Sequence, residues 1–570
     1  MKKLLPYLKS QYAKCVLAPL FKMIEATLEL TVPLIVAAII DNGIAAGDKQ
    51  YIRSHAVLMI VVAAAGLMFS ITAQYFAASA SVNFVKNLKN GIYSKVQYFS
   101  FEQFDKAGSS TLITRLTSDM ESIQNGLNLT LRLLLRSPFV VAGACIMAMR
   151  LDLKTSLIFI VTVVLLSLVV FGIMSITVPL NKKVRSALDG ALLTTRETVT
   201  GIRVIRAFAA EKAQADEFER KNKELTQMQE RAGRISALLN PVTVLIINAA
   251  VSVLIYAGAR KVDTGSLTTG TLVALYNYMS QILVELIKLA NLTVTLSKSL
   301  SCAQRVSELL DAEEENVPKY TGESESRDYI AFENVGFSYS GSQEPVLSNI
   351  SFTVKEGETV GIIGATGSGK STLVNLISRF YLPGEGEIFI DGKNIKNYSK
   401  AEISDMVSFT EQKPVIFKGT VRSNLTMGKN ISDEKLHAAL KCAQAEEFVM
   451  EKDGGIDAET EQYGRNFSGG QRQRIAVARA VAEDSDILIL DDASSALDYM
   501  TDSMMRAEIF KLNRKAVFIV SQRTGSIMNC DKIILLEDGK TTIGTHSELL
   551  ENSVTYREIH QTQFEEDEAV

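Results

Sequence analysis

The sequence predicts two domains of different classes: a membrane all-α domain of six transmembrane helices, followed by an α/β domain built around a phosphate-binding loop (P-loop). Three observations carry this prediction. Six long apolar stretches occupy the first half of the 570 residues, a glycine-rich loop joins a predicted strand to a helix in the second half, and a later apolar strand ends in paired aspartates. We place the domains at residues 1–310 and 329–564, joined by an acidic, turn-rich linker at 311–328.

The six apolar stretches are each long enough to cross a bilayer, which takes ~20 helical residues. They are residues 16–40, 56–80, 127–149, 155–178, 235–259 and 271–297. With an inside N-terminus, the inner segments hold 21 Lys and Arg and the outer loops hold 6, so both termini are predicted to be cytoplasmic. Residues 1–14 lack the apolar core of a signal peptide and predict a short amphipathic helix at the membrane surface.

Composition narrows the possible partners. Hydrophobic residues make up 47% of the chain and charged residues 22%, which fits an apolar half and a charged half. The formal net charge of −4 gives no reason to expect nucleic-acid binding. The five cysteines are scattered and form no CxxC pair, so they indicate neither a metal site nor a disulfide framework.

Charged residues inside the predicted membrane helices require a partner or a water-filled cavity. Glu285 and Lys288 lie three apart and predict an internal ion pair. Glu25 and Glu29 share one helix face, and the sequence leaves open whether they line a cavity for a cationic amphiphile or are paired internally. Arg132 and Arg136 are expected near the cytoplasmic interface, where long side chains reach water.

The glycine-rich loop reads GATGSGKS and fits the pattern G-x-x-x-x-G-K-[ST] between strand 359–363 and an apolar helix. Its glycines let backbone amides surround phosphates, Lys370 supplies a positive charge to the outer phosphates, and the Ser371 hydroxyl is placed to ligate Mg²⁺. The residues predicted to bind the phosphates are Gly364, Thr366, Gly367, Ser368, Gly369, Lys370, Ser371 and Thr372.

A second segment supports nucleotide chemistry. Ser468-Gly469-Gly470-Gln471 begins a basic helix, and helix starts of this kind attract anions through free N–H groups and the helix dipole. The apolar strand 487–490 follows and ends at Asp491 and Asp492. An acidic residue at the end of a buried strand is suited to hold Mg²⁺ beside phosphates.

These motifs, in this order, resemble the nucleotide-binding domain of ATP-binding cassette (ABC) transporters. The SGGQ signature and the D-loop at 495–498 match the family, Tyr339 stands where an aromatic ring stacks on adenine, and Gln412 stands at the Q-loop position. With the membrane half, the resemblance covers nearly the whole chain as a half-size ABC exporter. It implies ATP and Mg²⁺ as cofactors, with Ser371, Gln412 and Asp491 at the metal.

The family's coupling helices connect membrane helices to the nucleotide domains. Two long inner segments of this chain, 101–123 and 197–211, alternate polar and apolar residues at helical spacing. The resemblance implies coupling helices there, and we expect residues 117–120 and 201–206 to contact the nucleotide domains.

Two positions depart from the family pattern. The residue after the Mg²⁺ aspartate is normally the catalytic Glu, and here it is Asp492. The switch histidine is replaced by Gln522. Asp draws the carboxylate back by one methylene, and a misplacement of roughly 1 Å can cost on the order of a hundredfold in rate. Gln neither carries the charge of a histidine nor exchanges its proton.

Together the two departures predict a degenerate ATP site beside an intact signature. In this family two nucleotide domains enclose two ATP molecules, so Ser468, Gly470 and Gln471 would act at a partner's site. The implied partner is a second ABC half-transporter with the consensus Walker B Glu and the switch His. The chain would then be the degenerate-site subunit of a bacterial heterodimeric multidrug-type exporter, a multi-pass protein of the plasma membrane bilayer that exports amphiphilic drugs or lipid-like molecules.

Two alternatives remain at this stage. One is a nucleotide-gated regulatory or channel-like assembly, although the sequence holds no long regulatory insertion. The other is an exporter-like fold that imports a metal chelate.

Overall fold

The computed structural model describes residues 2–311, 328–342 and 344–568. The predicted linker at 311–328 therefore lies almost entirely outside the described residues. The chain divides into two compact units: unit 1 comprises Met1–Gln97 and Ser109–Ala312, and unit 2 comprises Tyr98–Gly108 and Glu313–Val570. Unit 2 thus includes a short piece of the predicted membrane half, which the sequence did not anticipate.

Helices joined by short turns make up residues 2–311. The helices are α1 (Leu5–Leu8), α2 (Tyr12–Ala38), α3 (Lys49–Gln97), α4 (Phe101–Ala107), α5 (Ser109–Thr114), α6 (Met120–Leu133), α7 (Arg136–Leu151), α8 (Leu153–Thr200), α9 (Ile202–Ala207), α10 (Glu211–Ala237), α11 (Leu239–Asp263) and α12 (Thr269–Asp311). Short 3₁₀ segments lie at Lys2–Leu4 and Lys9–Gln11, and π segments lie at Ile39–Ile44 and Arg115–Asp119.

Six helical runs of the described chain are long and apolar enough to cross a membrane. They are Leu5–Ile44, Lys49–Gln97, Ser109–Leu151, Leu153–Thr200, Glu211–Asp263 and Thr269–Asp311. Each predicted span falls inside one of these runs, so the prediction of six membrane helices is confirmed. The runs have 40 to 53 residues, and helices of that length extend well beyond a bilayer at 1.5 Å per residue.

Small residues bring the helices of unit 1 together. Ala26, Ala144 and Ala274 are fully buried in its apolar core. A Cβ on Gly143 would lie 2.4 Å from Leu30 Cδ1, so the two helices approach more closely than a larger residue would allow. The buried hydroxyl of Tyr278 donates to the Leu30 carbonyl at 2.7 Å, which satisfies its one polar group inside the core.

Unit 2 is an α/β structure. Its strands are β1 (Ile330–Phe337), β2 (Leu347–Val354), β3 (Glu358–Gly364), β4 (Glu385–Ile390), β5 (Lys393–Asn394), β6 (Val407–Thr410), β7 (Gly419–Thr420), β8 (Glu459–Thr460), β9 (Ile487–Asp491), β10 (Ala516–Val520), β11 (Lys532–Glu537) and β12 (Lys540–Gly544). Its further helices are α13 (Lys370–Ile377), α14 (Lys400–Met406), α15 (Val421–Thr426), α16 (Asp433–Cys442), α17 (Glu446–Met450), α18 (Gly469–Ala482), α19 (Tyr499–Ile509), α20 (Thr524–Ile527), α21 (His546–Asn552) and α22 (Val554–Glu568).

The sheet order determines where the functional loops meet. A six-stranded sheet has the order β12-β11-β3-β10-β9-β6, with parallel pairing from β11 through β6. A four-stranded antiparallel sheet has the order β2-β1-β4-β5. The parallel strands β3, β10, β9 and β6 are largely buried, and β10 and the part of β9 before Asp491 are entirely apolar, as expected of parallel strands covered on both faces. Because they are parallel neighbours, the loops that follow them meet at one edge of the sheet, where ligands bind in such folds.

Candidate functional site

The P-loop follows β3 and leads into α13. Gly367 and Gly369 have φ of +86° and +100°, a left-handed backbone region that glycine adopts without strain. Lys370 folds back over the loop, and its Nζ donates to the carbonyls of Gly364 (2.9 Å) and Ala365 (2.8 Å). Burial lowers the pKa of the Lys370 ammonium, whereas nearby Asp491 and Asp492 raise it.

The loop fits a phosphate ligand. Ser368 Oγ is buried and has no hydrogen-bond partner among the described residues, which is unusual for a buried hydroxyl. It belongs to a glycine-rich turn at the start of α13, where free backbone N–H groups and the helix dipole favour an anion. A triphosphate bound here would satisfy this hydroxyl and draw Lys370 Nζ away from its own backbone.

Two adjacent carboxyls stand at the end of β9. Asp491 is 5% exposed, and the Ser371 side chain lies beside its carboxyl group. Burial raises the pKa of Asp491, and repulsion from Asp492 adds to the increase, whereas Ser371 and Lys370 lower it. Burial also raises the pKa of Asp492, against the opposing hydrogen bond from Gln412. The raised pKa values mean that the protein supplies too little positive charge to stabilise both ionised carboxylates. A bound cation would supply the missing positive charge.

The metal position fits Mg²⁺ held together with a nucleotide. The Ser371 hydroxyl, the Asp491 carboxylate and the Gln412 amide supply oxygen atoms, the ligands that Mg²⁺ prefers. No group of three or more His, Cys, Asp or Glu that could hold a metal occurs in the described part of the chain. The protein thus offers few carboxylates, as is usual where phosphates complete the coordination of Mg²⁺.

Asp492 is held in an unusual backbone conformation. Its φ is +50°, in the left-handed region that non-glycine residues rarely adopt. Its N–H donates to the Val520 carbonyl at 3.0 Å, which ties it to the end of β10. Its carboxylate Oδ2 accepts from Gln412 Nε2 at 3.1 Å. The P-loop, Asp491, Asp492 and Gln412 therefore lie together, as the sequence predicts.

Gln522 lies two residues past β10, beside the ends of β3 and β9, with an exposed side chain. Its carbonyl accepts from Gln563 Nε2 at 2.7 Å. The structure also places His560 of α22 near this loop, with its Nδ1 3.1 Å from Thr524 Oγ1. The sequence alone does not indicate this histidine, because only folding brings α22 to that loop.

Tyr339 lies next to the start of α13. Its hydroxyl is 3.0 Å from Thr372 Oγ1, and its ring packs edge-on against Phe337 and Tyr381 at centroid distances of 4.9 and 5.3 Å. The ring is partly exposed. This position is compatible with the predicted stacking on a nucleotide base.

The signature begins α18. Ser468 caps the helix, since its Oγ accepts from Gln471 N at 3.2 Å and Gln471 Oε1 accepts from Ser468 N at 3.0 Å. A Cβ on Gly470 would lie 3.0 Å from the Ala496 carbonyl, so the residue fits tightly against the D-loop. Ser468 and Gly469 are exposed, and no hydrogen bond joins Ser468 or Gln471 to the P-loop within the described residues.

Gln473 connects the signature helix to the carboxylate loop, a role that the sequence interpretation missed. It is 1% exposed; its Nε2 donates to the Asp492 carbonyl at 2.9 Å, and its Oε1 accepts from Ala496 N at 3.2 Å. The only signal in the sequence was a second glutamine two residues after Gln471. Gln473 thereby links the loop of this chain's own site to the helix that carries the signature.

We expect Gln473→Leu to destabilise unit 2. The change leaves the Asp492 carbonyl and the Ala496 N–H without these bonds in a buried region, at a cost of roughly 1–3 kcal/mol for each. Thermal unfolding of the full-length chain should begin at a lower temperature. Gln462→Leu, which alters an exposed glutamine of the same unit, is the matched control. Equal melting temperatures for the two variants would contradict this role of Gln473.

The coupling role of residues 117–120 is not decided by the structure and stays a prediction. These residues lie in unit 1, where Asp119 pairs with Arg305. Helix α4, at the start of the same predicted segment, belongs to unit 2. The helical pattern over 101–123 did not show that its two ends belong to different units. Residues 201–206, around α9, lie in unit 1, and their coupling role stays a prediction.

Helix α4 is attached by aromatic and polar contacts. The ring of Phe101 stacks on Phe380 at a centroid distance of 4.4 Å. The hydroxyl of Tyr381 donates to Asp105, and the hydroxyl of Ser340 donates to Glu102 Oε1. Lys106 and Ser340 together lower the pKa of Glu102.

Charged side chains of the membrane unit form an internal network. Arg136 is 7% exposed, and its guanidinium donates to Glu285 Oε1 at 2.6 Å and to Glu29 Oε2 at 2.5 Å. Glu285 also pairs with Lys288 at 2.8 Å, which confirms the predicted internal pair. Lys22 pairs with Glu25 at 2.5 Å.

The expectation that Arg136 reaches the cytoplasmic interface is wrong. Carboxylates from α2 and α12 partner its guanidinium inside the helix bundle, and their sequence separation hid them from sequence reasoning. Glu25 and Glu29 are both paired, so neither is a free carboxylate. The Glu29 side chain remains 40% exposed.

A P-loop ATP site in one unit and six membrane-crossing helices in the other define the class of ATP-driven membrane transporters. Residues 15–286 match the ABC transporter transmembrane region, and residues 347–495 match the ABC transporter family. The chain is 32% identical over 566 residues to the uncharacterized ABC transporter ATP-binding protein YfiB of Bacillus subtilis, covering 99% of both chains. The chain therefore belongs to the ABC transporter family and is an exporter half-transporter.

Two further comparisons agree with the family. The chain is 26% identical over 568 residues to the ATP-dependent lipid A-core flippase of Vibrio vulnificus, covering 98% of this chain and 96% of that protein. The fold resembles the structure of a bacterial Atm1-family ABC exporter with ATP bound, with a TM-score of 0.79, 22% identity, and coverage of 97% and 98% of the two chains. The protein is an ATP-hydrolysing, membrane-spanning transporter with an ABC exporter fold, and it binds ATP with Mg²⁺.

Proposed function

We propose that this chain is the degenerate-site half of a heterodimeric exporter in the bacterial plasma membrane, with both termini in the cytoplasm. The main support for the proposal is that an aspartate, Asp492, stands at the position of the family's catalytic glutamate. Its carboxylate is one methylene shorter than that of glutamate and is bonded to Gln412 at 3.1 Å. Exposed Gln522, at the end of the neighbouring strand, has no imidazole with which to hold or transfer a proton.

In this proposal the chain binds its own ATP firmly and turns it over slowly. Lys370 and the P-loop amides hold the phosphates, Ser371, Gln412 and Asp491 hold the metal, and Tyr339 stacks on the base. Bound Mg²⁺ neutralises charge that develops on the phosphates during transfer. Asp492 and Gln522 orient the attacking water poorly, so the closed site persists.

Faster hydrolysis occurs at the partner's P-loop, to which this chain contributes Ser468, Gly470 and Gln471. The Ser468 cap leaves the start of α18 exposed and ordered, and an ordered helix start is suited to contact a triphosphate across an interface. The partner supplies the consensus Glu and His. Closure of the two nucleotide domains drives the change of access in the membrane unit.

We propose lipid-like or drug-like amphiphiles as substrates. Apolar residues line an open groove of about 560 Å³ between α8 and α11, including Leu157, Val161 and Val253. One relative is named an ATP-dependent lipid A-core flippase, a name that describes the transport of a lipid. Internal pairing of Glu25 and Glu29 weakens the case for a strictly cationic substrate.

Purification of the tagged chain from its native membrane tests the proposal. We expect a second ABC half-transporter to co-purify in equal amount, and the pair in liposomes to move a fluorescent phospholipid when ATP is supplied. The chain reconstituted alone should hydrolyse ATP at a few per cent of the rate of the pair. A symmetric dimer of this chain with full ATPase activity would refute the heterodimer.

A further inference from the structure

A polar cavity lies in the membrane unit, and its lining shares no residue with the Arg136 network. Its volume is about 330 Å³, and it is lined by residues of α5, the π segment that follows it, α8 and α12. The lining residues are Ser110, Thr111, Thr114, Arg115, Asp119, Arg196 and Arg305. Three guanidinium groups thus stand around one carboxylate.

The carboxylate does not balance this charge. Asp119 is already engaged by Arg305, whose Nε lies 3.0 Å from Asp119 Oδ2 and whose Nη2 lies 2.5 Å from Oδ1. Within the described residues, neither Arg115 nor Arg196 forms a salt bridge. The cavity therefore carries excess positive charge, contributed by helices that are far apart in the sequence.

Arg115 is held in place and still has an unused donor. Its Nη1 donates to the Arg305 backbone carbonyl, which fixes the guanidinium against α12. Its Nε is buried and has no hydrogen-bond acceptor in the described structure. The cavity wall therefore holds the charged Arg115 guanidinium in a fixed position, where it attracts an anion.

Hydroxyl groups complete the lining. Ser110 and Thr111 are exposed, so their hydroxyls can donate to a ligand, whereas the Thr114 hydroxyl already donates to the Ser110 carbonyl at 2.9 Å. Guanidinium groups combined with hydroxyl donors are the set that proteins use for phosphate oxygens.

The position of the cavity along the helices indicates whether its phosphate ligand is a lipid headgroup or a soluble molecule. Helix α8 has 48 residues and begins at Leu153, so Arg196 stands about 65 Å along its axis at 1.5 Å per residue. A bilayer with its headgroups spans about 40–45 Å. Arg196 therefore lies on the order of 20 Å beyond the headgroups when Leu153 is at the opposite surface, out of reach of a lipid phosphate.

We propose that this cavity binds a soluble phosphate-bearing anion, such as a polyphosphate or an organic phosphate, between Arg115, Arg196 and Arg305. The bound anion would bridge the extramembrane ends of three membrane-crossing runs. It would thereby favour conformations in which α5, α8 and α12 stay close, and so regulate the transport cycle. The proposal does not depend on the degenerate site or on a distinct partner.

Binding of tripolyphosphate tests the site. Calorimetry uses the purified transporter in phosphatidylcholine nanodiscs with saturating AMP-PNP and Mg²⁺, which occupies the nucleotide sites. We expect measurable binding that weakens with added salt and becomes at least tenfold weaker in Arg196→Gln, since a charge-assisted contact is lost. Arg196 is exposed, so the variant should fold with an unchanged melting temperature.

The control is Arg234→Gln, which removes an exposed arginine of the same unit that is paired with Glu230. It should leave binding of tripolyphosphate unchanged. Two results would overturn the proposal: no tripolyphosphate binding by the wild type at millimolar concentration, or equal affinity in Arg196→Gln. The same titration is repeated in nanodiscs that contain phosphatidic acid. If that lipid competes with tripolyphosphate for the site, the proposal that the bound anion is soluble would be overturned.

Discussion

The double change Asp492→Glu and Gln522→His is expected to raise ATP turnover at this chain's own P-loop by about a hundredfold. The added methylene moves the carboxylate forward by roughly 1 Å, a shift that can be worth a hundredfold in rate. The imidazole restores a group that can hold and transfer a proton near neutral pH. Single-turnover hydrolysis by the chain, with its signature-bearing partner present, measures the change.

The controls for this prediction separate chemistry from backbone strain. Asp538 is exposed and has φ of +46°, close to the +50° of Asp492. Asp538→Glu therefore tests the same substitution in the same left-handed conformation away from the site. Asp492→Asn should leave most of the ATPase activity of the assembled transporter, and near-complete loss would mean that this site is the hydrolytic one.

Replacement of the buried arginine in the membrane unit, Arg136→Met, is expected to destabilise the protein by about 3–5 kcal/mol, the usual cost of removing one partner of a buried ion pair. Glu285 is 3% exposed and would keep only Lys288 and Ser137 as partners. Glu29 would lose the contact at 2.5 Å. The melting temperature of the transporter in nanodiscs should fall clearly.

A matched control and a rescue make this result specific. Arg234→Met removes an arginine that is 80% exposed and paired with Glu230, and surface pairs are worth at most about 1 kcal/mol. The double variant Arg136→Met with Glu285→Gln should recover part of the lost stability, because the uncompensated carboxylate is gone. An unchanged melting temperature for Arg136→Met alone would show that the network does not stabilise the bundle.

Local patterns in the sequence were sufficient for the six membrane spans, the P-loop and the strand that ends at Asp491. A span needs only a run of apolar residues, and the P-loop needs glycines at left-handed positions such as Gly367 and Gly369. The register of parallel strands then brings Asp491 and Gln412 to one edge of the sheet. These features depend on neighbours in the chain or on the general rules of parallel sheets.

Long-range partners could not be read from the sequence. Arg136 was expected at the interface because its carboxylate partners lie 107 and 149 residues away. Gln473 was missed because its two bonds reach a loop 19 and 23 residues further along the chain. The grouping of α4 with the nucleotide-binding unit was missed for a similar reason, since Phe101 meets Phe380 only in the folded chain.

By itself the sequence determined the protein's class and its six membrane spans, and it predicted the ATP-site residues and a departure from the family pattern at Asp492 and Gln522. Tertiary structure alone decided which charges neutralise one another and which remain unbalanced. The physical reason is that the function of a local motif depends on backbone and side-chain groups that are adjacent in the sequence. The energy of a buried charge depends on every group that folding brings within a few ångströms of it.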